Sequence, residues 1–270
     1  MSDVYLQALI SGLMIGGVYA LVAVGLTLIF GVMDIINFAH GEFLMLGMYM
    51  AFWIWALLGI DPYLATPLIF LLSFGLGAIF YQGLMRQTIY KPELTQVFTT
   101  LGVSIAVQNV ALMLWTADYR TVQVLPQGWE SIQFGVFFLP TTRAISFVFA
   151  IVILAAVIWF IRNTYTGKAI EAVSQDLPAA ELMGINVNRI FLITFGLGIG
   201  LTGVAGAVLI PSFYAFPTVG SYFVLVAFVV VVLGGLGSLF GTVLGGLILG
   251  VVETSVGFLV PDLQEATHFV

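Results

Sequence analysis

From Ile190 to Val252 the chain runs for 63 consecutive residues without one Asp, Glu, Lys, Arg or His. A helical membrane crossing needs about 20 apolar residues, so this stretch holds roughly three of them. Further uncharged or nearly uncharged runs cover Ala8 to Phe30, Phe43 to Ile60, Pro62 to Met85, Leu94 to Trp115 and Ala144 to Ile161. These runs are apolar on every face and rich in Leu, Ala and Gly, whereas barrel strands would alternate in polarity. The expected fold is therefore all-α: a polytopic integral membrane protein of seven or eight crossings, some broken or re-entrant, forming one transmembrane domain over 1–270. With 61% apolar and 7% charged residues, the chain cannot be arranged as a globule with a polar exterior.

The basic residues set the orientation. Arg86 and Lys91 share one loop, and Arg162, Lys168 and Arg189 share another two crossings later, which puts five of the seven Lys and Arg on one side. The positive-inside rule makes that side cytoplasmic. Trp115 and Trp129 then suit the outer interface, and counting back three spans puts Met1 outside. Met1 to Gln7 has no basic stretch, so the first apolar run is expected to stay in the bilayer as a span and not to be a cleaved signal. Cysteine is absent, which removes disulfides, thiolate metal sites and a Cys nucleophile. A net charge of −6 argues against a nucleic-acid surface.

Enzyme chemistry finds no support. There is no phosphate-binding G-x-x-x-x-G-K-[ST] loop and none of the H-E-x-x-H, G-x-S-G or G-x-G-D patterns, and the histidines are His40 and His268. No catalytic or metal-ligating set is expected. A stand-alone ion-coupled carrier would keep an ionisable group deep in a span, and outside the 34–42 stretch only Glu253 sits near such depth.

Three places carry polar or conformational information. The first is DIINFAHGEF, Asp34 to Phe43, where each buried charge would cost roughly 2.5–3.5 kcal/mol at mid-bilayer, so the helix should break there. Asn37, His40 and Glu42 either line a pathway or gate, as broken helices do in transporters, or simply cap an inter-helix turn in which the histidine and its acidic neighbour satisfy each other. The second is the glycine series: Gly196, Gly200, Gly203 and Gly206 in one helix, and Gly237, Gly241 and Gly245 in the next, at spacings that favour close helix contact. Between them Gly234, Gly235, Gly237 and Ser238 interrupt a run too long for one span. Corresponding breaks near Gly41 and Gly237 would suit an internally pseudo-symmetric transporter.

The third is the polar loop 162–189. It holds one helix candidate of about two turns, with Asp176 as N-cap, Pro178 in the first turn, Ala179 to Met183 helical and Gly184 ending it. So short a helix needs a support, either the headgroup layer or a soluble partner.

Segments spread along nearly the whole chain carry a family likeness. GVYALVAVGLTLIFG (17–31) and INFAHGEFLMLG (36–47) closely resemble permease subunits of branched-chain amino acid ABC importers, of the H type. IYKP (89–92), LGVSIAVQN (101–109), TGKA (166–169), AELMGIN (180–186) and VLGGLGSLFGTVLGG (232–246) follow in family order. The resemblance implies a bacterial inner-membrane permease for branched-chain or other neutral amino acids, with urea or other small amides as the alternative cargo. It also implies a second, M-type permease, two cytoplasmic ATPase subunits that hold the ATP and Mg, and an extracytoplasmic substrate-binding protein. The segment 172–185 resembles the coupling helix that such permeases insert into the ATPase. Glu171, Ala172, Asp176, Leu177, Ala180, Glu181, Leu182, Met183 and Gly184 are its docking candidates, in a degenerate form of the E-A-A…G pattern. Members of the family continue with another apolar segment after the position of Asp262, so this chain, which ends at Val270, is expected to be shortened there.

Overall fold

The computed structural model describes residues 2–125, 131–134 and 137–259. Trp129, Asp262, His268 and Val270, and with them the expectations placed on those residues, lie outside the described residues.

Among the described residues eleven helices follow one another: α1 (Ser2–Met33), α2 (His40–Leu58), α3 (Thr66–Phe80), α4 (Arg86–Thr88), α5 (Glu93–Trp115), α6 (Thr141–Asn163), α7 (Tyr165–Gln175), α8 (Leu177–Leu182), α9 (Val187–Leu209), α10 (Val219–Gly234) and α11 (Leu239–Leu259). A π-helical turn, Tyr81–Met85, joins α3 to α4. Seven helical stretches among the described residues are long and apolar enough to cross a membrane. The eighth, α10, has 16 residues, which gives about 24 Å against a hydrocarbon core of about 30 Å. The span boundaries follow local chemistry. Pro92 and Pro140 immediately precede α5 and α6, and Gly59 in the left-handed region (φ 68°) closes α2. The Asn186 side chain accepts from Arg189 N to open α9.

Helices α1 and α9 form the core, buried nearly all round, and the other spans wrap them. The start of α1 lies against the segment before α6, where Gln7 Nε2 donates to the Phe138 carbonyl at 2.6 Å. Its other end lies against Gly237, and Gly31, Gly237, Arg162 and Glu171 all line one cavity of about 540 Å³. The start of α1 is thus on the side opposite the Arg162 loop, as the charge count expected.

One element was not foreseen. Ser131–Phe134 and Phe137–Pro140 pair as a two-stranded antiparallel ribbon, in register Ser131↔Pro140 to Phe134↔Phe137. It sits between crossings, where water can satisfy its open edges, so the crossings themselves remain helical.

Candidate functional site

The first break spans 34–39. Asp34 takes φ 52°, and Asn37 Oδ1 accepts the Ala39 amide at 3.1 Å, turning the chain before α2 starts at His40. Asn37, His40 and Glu42 are 0%, 0% and 1% exposed. The histidine does not satisfy its acidic neighbour. His40 Nε2 lies 3.0 Å from the Val22 carbonyl and 3.1 Å from Thr202 Oγ1, which ties the start of α2 to α1 and α9. Glu42 turns the other way, to α5. Gly41 is not in the break itself; it is the second residue of α2 and crosses Gly220 of α10 backbone to backbone.

A stripe of polar residues on α5, unnoticed in the sequence, receives this break. Gln96, Thr100, Ser104 and Gln108 recur every four residues and so share one helix face. Gln96 Nε2 donates to the carbonyls of Ile89 and Lys91. Thr100 Oγ1 accepts from Phe38 N, and Ser104 Oγ donates to Glu42 Oε1 at 3.0 Å. Gln108 Nε2 donates both to Glu42 Oε1, at 2.7 Å, and to Ser221 Oγ of α10, at 2.9 Å. Glu42 Oε2 has no protein partner. Elsewhere on α5, Leu94, Phe98, Ile105, Met113 and Leu114 are exposed. Four-residue periodicity of small polar side chains inside an apolar run was the signal available.

The second break also differs in detail from expectation. Gly234 ends α10, Gly235 (φ 86°) and Gly237 (φ 84°) make the turn, and Ser238 caps α11 by accepting the Gly241 amide at 3.1 Å. Only Gly241 and Gly245 of that series lie within α11, and both pack on the end of α10. Gly196 and Gly200 of α9 meet Phe74 and Phe70 of α3, while Gly206 meets the backbone of α2. Gly198 meets Gly25 and Ile29 of α1, so one glycine-rich helix serves three partners.

The polar loop contains two helices where one was expected. Thr164 caps α7, accepting Gly167 N at 3.0 Å, and the helix buries Gly167, Ala169, Ile170 and Val173 against the bundle. Glu171 and Ala172 belong to α7. Asp176 then caps α8, accepting Ala179 N at 2.9 Å, and Gly184 closes it with φ 82°. The Gly184 and Ile185 amides return to the carbonyls of Glu181 and Ala180. Of the docking candidates, Ala180 is buried, whereas Leu182 and Met183 are 89% and 82% exposed. Ala180 holds α8 to the bundle; Leu182 and Met183 point away from it. Among the described residues no cluster of three or more His, Asp or Glu could hold a metal ion.

The family described as branched-chain amino acid transport system, permease component, matches residues 8–270. The high-affinity branched-chain amino acid transport system permease protein BraD of Pseudomonas aeruginosa is 35% identical over 92% of this chain and 85% of its own. The corresponding LivH of Escherichia coli K12 is 33% identical over 98% of this chain and 90% of its own. A more distant relative, the autoinducer 2 import system permease protein LsrC of an Enterobacter strain, is 27% identical over 71% of this chain and 55% of its own. No solved structure matches.

Proposed function

We propose that this chain, which belongs to the permease-component family of branched-chain amino acid transport systems, is a membrane-spanning subunit of an ATP-driven importer for branched-chain amino acids. It works in a bacterial cytoplasmic membrane beside a second permease, over two ATPase subunits and under a substrate-binding protein. The chain contributes a passage and a handle, and no covalent chemistry.

The observation that carries this reading is α8. A two-turn helix capped at both ends, on the basic side, presents Leu182 and Met183 almost fully exposed and outside every span. Two large apolar side chains held out by a rigid short helix fit a cleft in a soluble partner better than they fit water. Closure of the ATPase pair would push α8 and, through the buried face of α7, the ends of the spans beside it. The cavity lined by Glu171 of α7, Gly31 of α1 and Gly237 leaves room for that displacement.

The test is Leu182→Asp in the complex reconstituted with its partner subunits. Because Leu182 is 89% exposed, the variant should insert and fold normally while substrate-stimulated ATP hydrolysis is lost. Normal stimulation would overturn the docking role. Glu253, 6% exposed within α11, keeps an ion-coupled carrier as the rival reading, and uptake by this chain alone, without ATP, would establish it.

A further inference from the structure

On the reading that this chain forms a passage for amino acids, we infer that Gln108 and Ser221 are the pair that meets the charged end of the substrate, and that Glu42 behind them is a positioning residue. Gln108 stands seven residues before Trp115, the last residue of α5. That places it about 10 Å below the outer end of the helix at 1.5 Å per residue. Ser221 is exposed and Gln108 half-buried, so a polar patch opens on the outer flank of the bundle at a depth where lipid would be a poor neighbour.

The hydrogen bonds dictate which atoms the patch presents. Gln108 Nε2 spends both hydrogens, one on Glu42 Oε1 at 2.7 Å and one on Ser221 Oγ at 2.9 Å. A flipped amide would set its carbonyl oxygen against the Glu42 carboxylate, acceptor against acceptor, so the carboxylate selects the observed orientation. The Gln108 carbonyl oxygen is thereby turned away from Glu42 as an acceptor. Ser221, having accepted from Gln108, keeps its own hydroxyl hydrogen for another acceptor. An acceptor and a donor on neighbouring residues match the ammonium and carboxylate of a zwitterionic amino acid. One turn further in along both helices, Ile105 of α5 and Leu225 of α10 are exposed, giving an apolar surface for an aliphatic side chain.

Glu42 itself is 1% exposed and held by Ser104 as well as Gln108, so it acts through Gln108 and not by contact. The experiment compares Gln108→Leu, Glu42→Leu and Glu42→Gln in the complete complex in proteoliposomes, reading leucine transported and ATP hydrolysed. Gln108→Leu and Glu42→Leu should lower leucine transported per ATP by about tenfold, the scale of one lost hydrogen bond to a charged group. Glu42→Gln should restore most of the loss, because its amide oxygen still accepts from Gln108. Full transport by Gln108→Leu overturns the contact, and a Glu42→Gln defect as deep as that of Glu42→Leu overturns the positioning role. A wild-type complex that moves no leucine would instead sink the functional reading on which the inference rests.

Discussion

Gly220 of α10 sits so close to Gly41 of α2 that a Cβ on Gly220 would fall 2.6 Å from the Gly41 carbonyl oxygen and 2.9 Å from Glu42 Oε2. The crossing has no slack, and it fixes how far Glu42 stands from α10. Gly220→Ala should therefore force the two helices apart, costing about 1–3 kcal/mol as other overpacked contacts do, and pull Ser221 away from Gln108. Thermal unfolding of the purified complex and leucine uptake should both fall. Gly102→Ala on α5, where nothing lies within 4 Å, is the control and should leave both unchanged.

The seam between α1 and α11 contains a second measurable contact. Thr27 and Thr242, both fully buried, approach hydroxyl to hydroxyl at 2.7 Å, and each also lies in reach of the carbonyl one turn earlier, Ala23 and Ser238 respectively. Such interhelical bonds within membranes average about 0.6 kcal/mol, since each hydroxyl has a local alternative. A cycle of Thr27→Val, Thr242→Val and the double variant should give a coupling of that size in thermal unfolding. Coupling indistinguishable from zero would mean that the seam is held by its close glycine packing alone.

The caps of α8 can be separated from its docking face. Asp176→Ala removes the acceptor for Ala179 N and should cost α8 about 1 kcal/mol. Gly184→Ala forces a side chain into φ 82° and should cost a similar amount. Both variants keep Leu182 and Met183, so ATP hydrolysis should weaken only partly, while amide hydrogen exchange in 177–185 quickens. Leu182→Asp should do the reverse, leaving exchange alone and removing stimulation.

What the sequence disclosed depends on how each feature is written in it. The spans were legible because lipid demands long apolar runs, and both breaks were legible because charges at 34–42 and glycines at 234–237 cannot continue a helix in that solvent. Helix α7 was hidden because its buried face consists of Gly167, Ala169, Ile170 and Val173, too small a stripe to stand out beside polar neighbours. The α5 stripe was hidden because Thr100 and Ser104 barely lower the hydropathy of the run that contains them. The partners of His40 could not be read at all: Val22 and Thr202 are 18 and 162 residues away, and only the tertiary fold brings them together. The short ribbon at 131–140 carries no alternation strong enough to separate it from a loop.

Tyr63, between α2 and α3 and outside the spans, offers a pH test. Its hydroxyl lies 2.9 Å from Ser146 Oγ and donates to the Thr142 carbonyl, while Ser146 donates to the Val208 carbonyl, so one tyrosine joins the loop between α2 and α3 to α6 and α9. Burial pushes its phenol up from the ordinary value near 10 to about 12. The folded state therefore keeps a proton that the unfolded chain releases first. This contribution is whole below about pH 10 and is lost as pH rises towards 12. Tyr63→Phe should lower stability by about 1 kcal/mol at neutral pH, the usual net value of one hydrogen bond. Because phenylalanine does not titrate, the difference in Tm between wild type and variant should shrink as thermal unfolding is repeated from about pH 9 to about pH 11. A difference that stays constant across that range would place the Tyr63 hydroxyl in water and not between Thr142 and Ser146.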